Sequence, residues 1–268
     1  MTPKTILITG ASSGLGQAIA LHLAAQGHTV FGTSRNPGAS PTQLCMLPLD
    51  VTSDASVAAC VSAVIERAGH LDVLINNAGS GLCGAVEDTT LEEAHWQMET
   101  NFFGPVRMIH SVLPHMRARQ SGRIITISSL AGMAALPYQP FYSASKFALE
   151  ALNESLRLEL AGSGIDATTI NPGDFKTGFT AARVFTRAAK TGPQAAQLNK
   201  TVGIYERDEI NGADPMQVAR LAARLVNARH IGVRHTVGRL DQRFGMILKK
   251  ILPAGVFEKL MKMTYALP

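Results

Sequence analysis

The sequence predicts a single α/β domain in which a parallel β-sheet is covered by helices on both faces. Short apolar, β-branched runs alternate with helix-like apolar patterns across residues 5–170. A glycine-rich turn follows the first of these runs, and later runs end in small polar residues. No repeat, low-complexity tract or linker interrupts residues 1–173, so the whole chain, 1–268, is expected to form one domain.

The composition is that of a globular protein, with 46% hydrophobic and 17% charged residues. There is no apolar run of about 18 residues and no apolar leader, so we expect neither a spanning helix nor a signal peptide and predict a cytoplasmic location. Cys45, Cys60 and Cys83 are odd in number and lack CxxC spacing. We therefore expect buried, reduced thiols, with no disulfide framework and no metal site.

Positive charge is concentrated towards the C-terminus. The net charge is +5, but residues 220–268 alone carry +8, from ten Lys and Arg residues against Asp241 and Glu258, which leaves −3 for residues 1–219. Such a segment can meet an anion, a membrane surface or a protein partner, although it more often forms a solvated rim. Because no recognition motif accompanies it, nucleic acid is not expected as a partner.

A glycine loop separates the first predicted strand, residues 5–8, from a helix-like pattern that begins after residue 16. This arrangement points backbone N–H groups and a helix N-terminus at a phosphate, and its glycines permit a tight turn and close approach. The spacing is GxxxGxG rather than GxGxxG. The loop residues expected to contact a cofactor are Gly10, Ser12, Ser13, Gly14, Leu15 and Gly16.

The second predicted strand, residues 29–33, ends at Ser34 and Arg35. Arg35 lies 19 residues after Gly16, and an NAD-binding fold carries its ribose-reading acid about 20 residues on. A carboxylate there would repel a 2′-phosphate, whereas arginine offers the phosphate a planar cation. The alternative is a surface arginine in a loop. The position of Arg35 favours NADP(H) as the cofactor.

Polar residues also end the next two predicted strands. Residues 44–49 predict the third strand, closed by Asp50, and residues 53–68 predict the helix after it. Residues 71–75 predict the fourth strand, which ends in an Asn-Asn-Ala-Gly sequence at 76–79. That sequence fits a simple turn. It also supplies amides at the strand ends where open α/β sheets bind their ligands.

Residues 92–118 predict a long helix with Asn101 in its middle. Asn is a poor helix former, and the Gly-Pro pair at 104–105 indicates a local irregularity in the backbone hydrogen bonding. Residues 122–127 and 165–170 predict the fifth and sixth strands. A change of winding after the third strand would place the glycine loop at the topological switch point of the sheet.

Tyr142 and Lys146 lie four residues apart in a helix predicted to run to about residue 160, so they share one helix face. A free tyrosine has a pKa of about 10, too high for efficient proton donation at neutral pH. An ammonium fixed beside it is expected to favour the phenolate and to lower the tyrosine pKa. An isolated pair of this kind is ordinarily a surface pair, and the other motifs give this one its weight.

One set of motifs therefore runs in order from the first strand to the end of the sixth. Its members are Thr9, Gly10, Gly14, Gly16, Asp50, Asn76, Asn77, Ala78, Gly79, Asn101, Ser129, Tyr142, Lys146, Pro172, Gly173 and Thr177. In order and spacing these residues resemble the short-chain dehydrogenase/reductase family, in its common single-domain branch. The resemblance covers residues 5–177 and implies a doubly wound Rossmann domain with a seven-stranded parallel sheet.

The resemblance implies a role for each of four residues. Tyr142 would be the general acid for carbonyl reduction and the general base for alcohol oxidation. Lys146 would lower its pKa and hold the nicotinamide ribose, and Ser129 would donate a hydrogen bond to the substrate oxygen. Asn101 would hold a water that links Lys146 to solvent. The family spacing selects Ser129 over Ser128 for this role.

The same resemblance implies a nicotinamide cofactor along the strand ends, with NADP(H) indicated by Ser34 and Arg35. Besides the glycine loop, Tyr142 and Lys146, the expected contacts are Asp50 and Val51 at the adenine, Asn77, Ala78 and Gly79 at the adenosine ribose, and Pro172, Gly173, Phe175 and Thr177 at the nicotinamide end.

The substrate is expected to be a bulky hydrophobic ketone, aldehyde or alcohol, and the motif set looks most like the hydroxysteroid and retinol dehydrogenases. Residues 174–213 mix apolar and basic residues and would form a lid insertion over the substrate. Further pocket walls are expected just after strand ends. These wall residues are Leu82, Cys83, Met133, Leu136 and Tyr138.

After a helix that opens at Asp214 and Pro215, residues 240–268 form a basic amphipathic extension. Pro253 and Gly255 split it into two pieces. We therefore favour its packing beside the lid or a second subunit over contact with a membrane surface.

Two other functional classes compete with a reductase. A non-catalytic NADP(H)-sensing protein would keep the glycine loop but lose Tyr142, Lys146 or Ser129, all of which are present. A non-redox epimerase or dehydratase on the same scaffold is harder to separate by sequence. The family also implies a homodimer or homotetramer through residues 92–118 and 142–160.

Overall fold

The computed structural model describes residues 2–38 and 44–268. Its main sheet has seven parallel strands, the number that the family resemblance implies. The strands are β1 (Thr5–Ile8), β2 (Thr29–Ser34), β3 (Cys45–Pro48), β4 (Val73–Asn76), β6 (Gly122–Ile127), β7 (Ile165–Pro172) and β9 (Arg234–Val237). They lie in the order β3-β2-β1-β4-β6-β7-β9. A separate two-stranded sheet pairs β5 (Leu82–Cys83) with β8 (Val184–Phe185).

Helices α1 (Gly14–Ala25) and α7 (Met216–Asn227) cover one face of the main sheet, and α2 (Asp54–Ala68), α4 (Gly104–Ala118) and α5 (Pro140–Glu159) cover the other. The described residues also form α3 (Leu91–Met98), α6 (Ala195–Ile210), α8 (Leu240–Ile251) and α9 (Ala254–Thr264). The chain winds from β1 outward through β2 to β3, then returns to place β4 on the other side of β1. The glycine loop after β1 therefore lies at the switch point.

Strand β1 shows why these sequences form central strands. All four of its residues are buried, and successive side chains point to opposite faces of the sheet. Ile6 and Ile8 pack in the core with α1 and α7, whereas Leu7 packs in the core on the other face. Because both faces are covered, the strands are continuously apolar rather than alternating.

The predicted helix at 92–118 is interrupted at the predicted place. Helices α3 and α4 are joined by a π-helical turn, Glu99–Phe103, in which the Gly104 N–H bonds the Glu99 carbonyl five residues back. Gly104 packs on Val51, since a Cβ at this glycine would lie 2.8 Å from Val51 Cγ2. The irregularity thus buries Asn101 and lets α4 approach the loop after β3.

Several elements were absent from the sequence prediction. β9 is a half-buried edge strand with Arg234 and His235, and so lacks the apolar run that marked the other strands. β5 and β8 have two residues each, too few for a periodic signal. Cys45, predicted to be buried, is half-buried and its sulfur accepts from Arg67 Nη1 at 3.2 Å.

The C-terminal extension packs against the lid insertion. Gln197 Nε2 on α6 donates to the Ala266 carbonyl at 2.9 Å, and the rings of Tyr205 and Tyr265 lie 4.9 Å apart. Within the extension, the Lys249 ammonium lies 4.7 Å from the centre of the Phe257 ring and links α8 to α9. Of the helices in the described ranges, none is long and apolar enough to cross a membrane.

Gly16 sits where a side chain has no room, because a Cβ would lie 2.2 Å from the Gly10 carbonyl oxygen and 2.4 Å from Asn77 Nδ2. We expect Gly16→Ala to lower the free energy of unfolding by about 1–3 kcal/mol through overpacking. Urea denaturation followed by circular dichroism measures the change.

Gly203→Ala is the matched control, since Gly203 is also helical but has open space where its Cβ would stand. It should leave the free energy of unfolding unchanged or raise it by up to ~1 kcal/mol. Equal effects of the two substitutions would contradict a steric role for Gly16.

Candidate active site

A cleft of about 1270 Å³ runs along the carboxyl ends of the strands. Every catalytic and cofactor-contacting residue predicted from the sequence lines it except Gly16 and Asn101. Gly16 lies at the close contact between α1 and the glycine loop, and Asn101 is buried beneath the cleft with 1% of its surface exposed. The fold thus gathers residues from both halves of the sequence on one surface.

The glycine loop has the conformation that its sequence predicts. Gly10 and Gly14 have φ angles of +67° and +56°, which side chains disfavour. Ser13 precedes the first turn of α1, and among the described contacts its side chain makes no capping hydrogen bond. The first N–H groups of α1 therefore face the cleft without a side-chain cap, as a phosphate site requires.

Asn77 and Thr9 hold this loop against the end of β4. Asn77 Nδ2 donates to the carbonyls of Thr9 and Gly10, at 2.9 and 3.0 Å. The Thr9 hydroxyl accepts from the backbone N–H groups of Asn77 and Ala78, both at 2.9 Å. Asn77 lines the cleft, but its side-chain nitrogen bonds the carbonyls of the glycine loop.

The end of the cleft beyond β2 is polar and fits the adenosine side of a nicotinamide cofactor. The Asp50 carboxylate accepts from the backbone and hydroxyl of Thr52, which, with the more distant Arg35, hold its pKa below the ordinary value. Arg35 is exposed at the edge of the cleft. The buried Ser34 hydroxyl has no hydrogen-bond partner within the described residues, so a ligand oxygen would satisfy it.

Lys146 is buried at the inner part of the cleft, with 6% of its surface exposed. Its Nζ donates to the Ile127 carbonyl at 3.0 Å and lies 5.7 Å from the centre of the Tyr142 ring. Burial lowers the pKa of Lys146 to about 8, although the nearby Glu150 carboxylate opposes this. The two side chains therefore meet, as their helical spacing predicts.

The expected direction of the Tyr142 pKa is wrong for this structure. Burial raises the pKa of Tyr142 to about 12, and a hydrogen bond with the Ser129 side chain opposes the rise. Desolvation of the phenolate is the largest cause, and it outweighs the Ser129 hydrogen bond and the positive charge of Arg183, which both act to lower the pKa. Tyr142 is consequently protonated at neutral pH, the form a proton donor needs.

Ser129 is held in place by residues that the sequence analysis missed. Its hydroxyl accepts from the Ala131 N–H at 3.0 Å, and its carbonyl accepts from Asn171 Nδ2 at 3.1 Å. Asn171 in turn donates to the buried Glu150 carboxylate at 2.6 Å. The available signal was that Glu150 lies four residues after Lys146, on the same helix face.

Asn101 acts on the loop after β4. Its Oδ1 accepts from the Ser80 N–H and its Nδ2 donates to the Ser80 carbonyl, both at 2.9 Å. Nδ2 also lies 3.3 Å from the hydroxyl of Ser145, which is next to Lys146 in α5. The structure therefore places Asn101 as a link between the π-helical turn, this loop and the helix that carries Tyr142.

The wall beside Tyr142 is built mainly from the lid insertion and the C-terminal extension. The Phe179 ring lies 5.9 Å from the Tyr142 ring. The other apolar and aromatic residues on this wall include Ala182, Tyr205, Phe244, Met246, Leu248, Phe257, Leu260, Met261 and Tyr265.

The wall predicted from residues after strand ends is largely wrong. Leu136 lines the cleft, but Leu82 and Cys83 are buried in β5, where they pair with β8. Met133 lies at a separate small concavity beside α8. Tyr138 lies off the cleft, and its hydroxyl donates to Gln194 Oε1 at 3.2 Å.

Because the pKa of Lys146 is lowered, we expect the contribution of this buried lysine to the free energy of unfolding to depend on pH. Between about pH 8 and the ordinary value of 10.5, the unfolded chain binds a proton that the folded chain has lost, so stability rises with pH in this window. The free energy of unfolding of the wild type relative to Lys146→Met should rise there by on the order of 3 kcal/mol. Urea denaturation at a series of pH values measures the difference.

Lys259→Met, which removes an exposed lysine on α9, is the control and should keep the pH dependence of the wild type. If Lys146→Met gave the same pH dependence as the wild type, the lowered pKa of Lys146 would be refuted.

The model of the short chain dehydrogenase family matches residues 4–187 of this chain. A 3-ketodihydrosphingosine reductase from Bacteroides thetaiotaomicron is 42% identical over 268 residues, which cover 100% of both chains. Human retinol dehydrogenase 8 is 40% identical over 191 residues, which cover 66% of this chain and 60% of that protein.

Solved structures agree with this assignment. A short-chain dehydrogenase from Streptomyces avermitilis has a TM-score of 0.82 and 33% identity, with 98% of each chain covered. A short-chain dehydrogenase/reductase from Burkholderia phymatum, solved with NAD, has a TM-score of 0.76 and 26% identity over 87% of this chain and 88% of that one. The chain belongs to the short-chain dehydrogenase/reductase family of oxidoreductases, whose fold binds a nicotinamide cofactor.

Proposed function

We propose that this protein is an NADP(H)-dependent reductase that interconverts a ketone and an alcohol on a long-chain hydrophobic substrate of the 3-ketodihydrosphingosine type. The observation that carries the proposal is the Tyr142 hydroxyl, bonded to the Ser129 side chain inside an apolar-walled cleft. The similarity to the Bacteroides reductase supports the substrate class because it extends through the C-terminal helices of that wall.

The residues divide the reaction among them. When bound, the nicotinamide cofactor supplies the hydride to the carbonyl carbon or accepts it from the alcohol. In the reduction, Tyr142 gives its proton to the substrate oxygen, and Ser129 donates a hydrogen bond as negative charge develops there. Lys146 would hold the ribose hydroxyls and stabilise the phenolate that Tyr142 leaves behind.

Arg35 supports the choice of NADP(H) over NAD(H). It is exposed immediately after β2, and its charge helps to lower the pKa of Asp50 across the cleft. Among the described residues, the buried Ser34 hydroxyl has no hydrogen-bond partner. Arg35 therefore offers a cation, and Ser34 a hydrogen bond, to a 2′-phosphate.

We also propose that subunits pair through the outer surfaces of α4 and α5 and that the protein acts in the cytoplasm. Apolar side chains exposed on and beside these helices support the pairing. Phe103 and Phe147 are 46% and 42% exposed, and Leu158 is 79% exposed. A subunit interface on this surface would bury these apolar side chains.

The full-length protein should consume NADPH as it reduces 3-ketodihydrosphingosine, and Tyr142→Phe should lower kcat on the order of a hundred- to ten-thousandfold while NADPH still binds. Loss of NADPH absorbance measures turnover, and fluorescence titration measures cofactor binding. Product accumulation at constant NADPH absorbance would instead favour an epimerase or dehydratase.

Tyr138→Phe is the matched control, because it removes a phenol hydroxyl that bonds Gln194 rather than Ser129. It should retain most of the wild-type kcat. If Tyr142→Phe were as active as Tyr138→Phe, Tyr142 would not be the proton donor.

Arg35→Asp should shift the ratio of kcat/KM values from NADPH towards NADH by on the order of tenfold or more, because a carboxylate repels the 2′-phosphate. Steady-state kinetics with both cofactors measure this ratio. Arg229→Asp changes charge equally at an exposed site away from the cleft and should leave the ratio unaltered. An unaltered ratio in Arg35→Asp would remove Arg35 from phosphate recognition.

A further inference from the structure

A carboxylate occupies the substrate side of the cleft next to the reacting groups. Asp174 follows Gly173 just after β7 and lines the cleft together with Tyr142. The two side chains are close enough for the Asp174 charge to contribute to the raised pKa of Tyr142. The carboxylate and the Tyr142 hydroxyl therefore belong to the same cleft and influence each other electrostatically.

The Asp174 carboxylate is fixed by an uncharged partner on α8. Gln242 Nε2 donates to Asp174 Oδ2, and Gln242 Oε1 accepts from the Asp174 N–H at 3.1 Å. The same Gln242 packs over Gly173, which has no space for a Cβ. The amide therefore orients the carboxylate without neutralising its charge.

The arginines at this end of the cleft are already paired with other carboxylates. Arg183 Nη2 bonds the Glu209 carboxylate, and Arg239 Nη2 bonds Asp241 at 2.7 Å. Within residues 2–38 and 44–268, Asp174 forms no ion pair with Lys, Arg or His. Asp208 on α6 also lines the cleft and adds negative charge. The substrate side is therefore acidic, although the chain as a whole is basic.

We infer that Asp174 binds an ammonium group carried by the substrate next to its reacting carbonyl. The inference rests on the proposed function, since 3-ketodihydrosphingosine is a long-chain ketone with an amino group on the adjoining carbon. With the carbonyl at Tyr142 and Ser129, that ammonium would reach the cleft wall on which Asp174 lies. The charge-assisted contact would select amino ketones over neutral ketones.

The same charge argues against substrates that carry an anion at this position. A carboxylate or phosphate placed beside Asp174 and Asp208 would meet like charges in a partly desolvated cleft, which costs binding energy. The apolar wall from α8 and α9 then receives the hydrocarbon chain. Asp174 thereby favours hydrophobic carbonyl compounds with a cationic group near the carbonyl and disfavours those with an anionic group there.

The test compares two ketones of equal chain length, 3-ketodihydrosphingosine and an analogue without the amino group, with NADPH and the full-length protein. Asp174→Asn should lower kcat/KM for the amino ketone on the order of tenfold or more, and should leave kcat/KM for the amine-free ketone nearly unchanged. Asp174→Glu should recover part of the loss. Glu258→Gln removes an equal charge from an exposed site outside the cleft and should affect neither ketone.

A second measurement needs no variant. Acetylation of the substrate nitrogen removes its charge and should lower the wild-type kcat/KM by a factor similar to that caused by Asp174→Asn. An equal loss on both ketones in Asp174→Asn, or no loss on either, would overturn the inference while leaving the reductase proposal intact. If the wild type reduced other hydrophobic ketones through Tyr142 but not the amino ketone, the proposed substrate class would fail as well.

The pH dependence gives a third outcome. Burial, with Glu209 and Asp208 nearby, raises the pKa of Asp174 to about 6. The ionisable groups facing it are Tyr142 on α5, Tyr205, Asp208 and Glu209 on α6, Arg239 before α8 and Tyr265 after α9. The preference for the amino ketone should rise as pH increases through about 6, because Asp174 then ionises. A preference that is constant between pH 5 and 7 would contradict this.

Discussion

The rest of the site depends on the burial of the Lys146 ammonium. Burial of a cation with so little exposed surface is unfavourable, and the Ile127 carbonyl and the Glu150 carboxylate offset part of that cost, so that the lysine pKa is still lowered to about 8. The compensation fixes α5 against the end of β6. Since Tyr142 is one turn earlier in the same helix, its hydroxyl is fixed beside Ser129 by the contacts that accommodate the lysine.

Compensation of the buried ammonium also explains the polar layer beneath the cleft. Glu150 is buried with bonds from Arg234, Thr169 and Asn171, and so couples α5 to both β7 and the edge strand β9. These bonds hold the carboxylate near the lysine within a buried layer of the protein. Strand β9, whose own residues give only a weak strand signal, is thereby held beside β7 by the bond between Arg234 and Glu150.

The sequence predicted what depends on local spacing. The glycine loop, the strand ends and the Tyr142–Lys146 pair are encoded over a few residues each, and their relative positions follow from parallel topology. Features that depend on residues distant in the sequence were predicted poorly. The Tyr142 pKa is governed by desolvation from several elements, and β9 becomes a strand through pairing with β7 rather than through its own residues. The true wall residues, such as Phe257 and Tyr265, lie on a tail whose position no local pattern specifies.

The order of these parts along the chain has an evolutionary consequence. Most of the residues expected to face the cofactor and the transferred proton precede Asp174, and Phe175 and Thr177 follow it at once. Most of the apolar wall beside Tyr142 lies further along the chain, and Gln242 on α8 bonds Asp174 between the two groups. A lineage can therefore recombine or diversify the last third of its gene while keeping hydride chemistry intact. Chimaeras joined after Thr177 would inherit their redox chemistry from one parent and their selectivity from the other, provided that the residue at position 242 still fits Asp174.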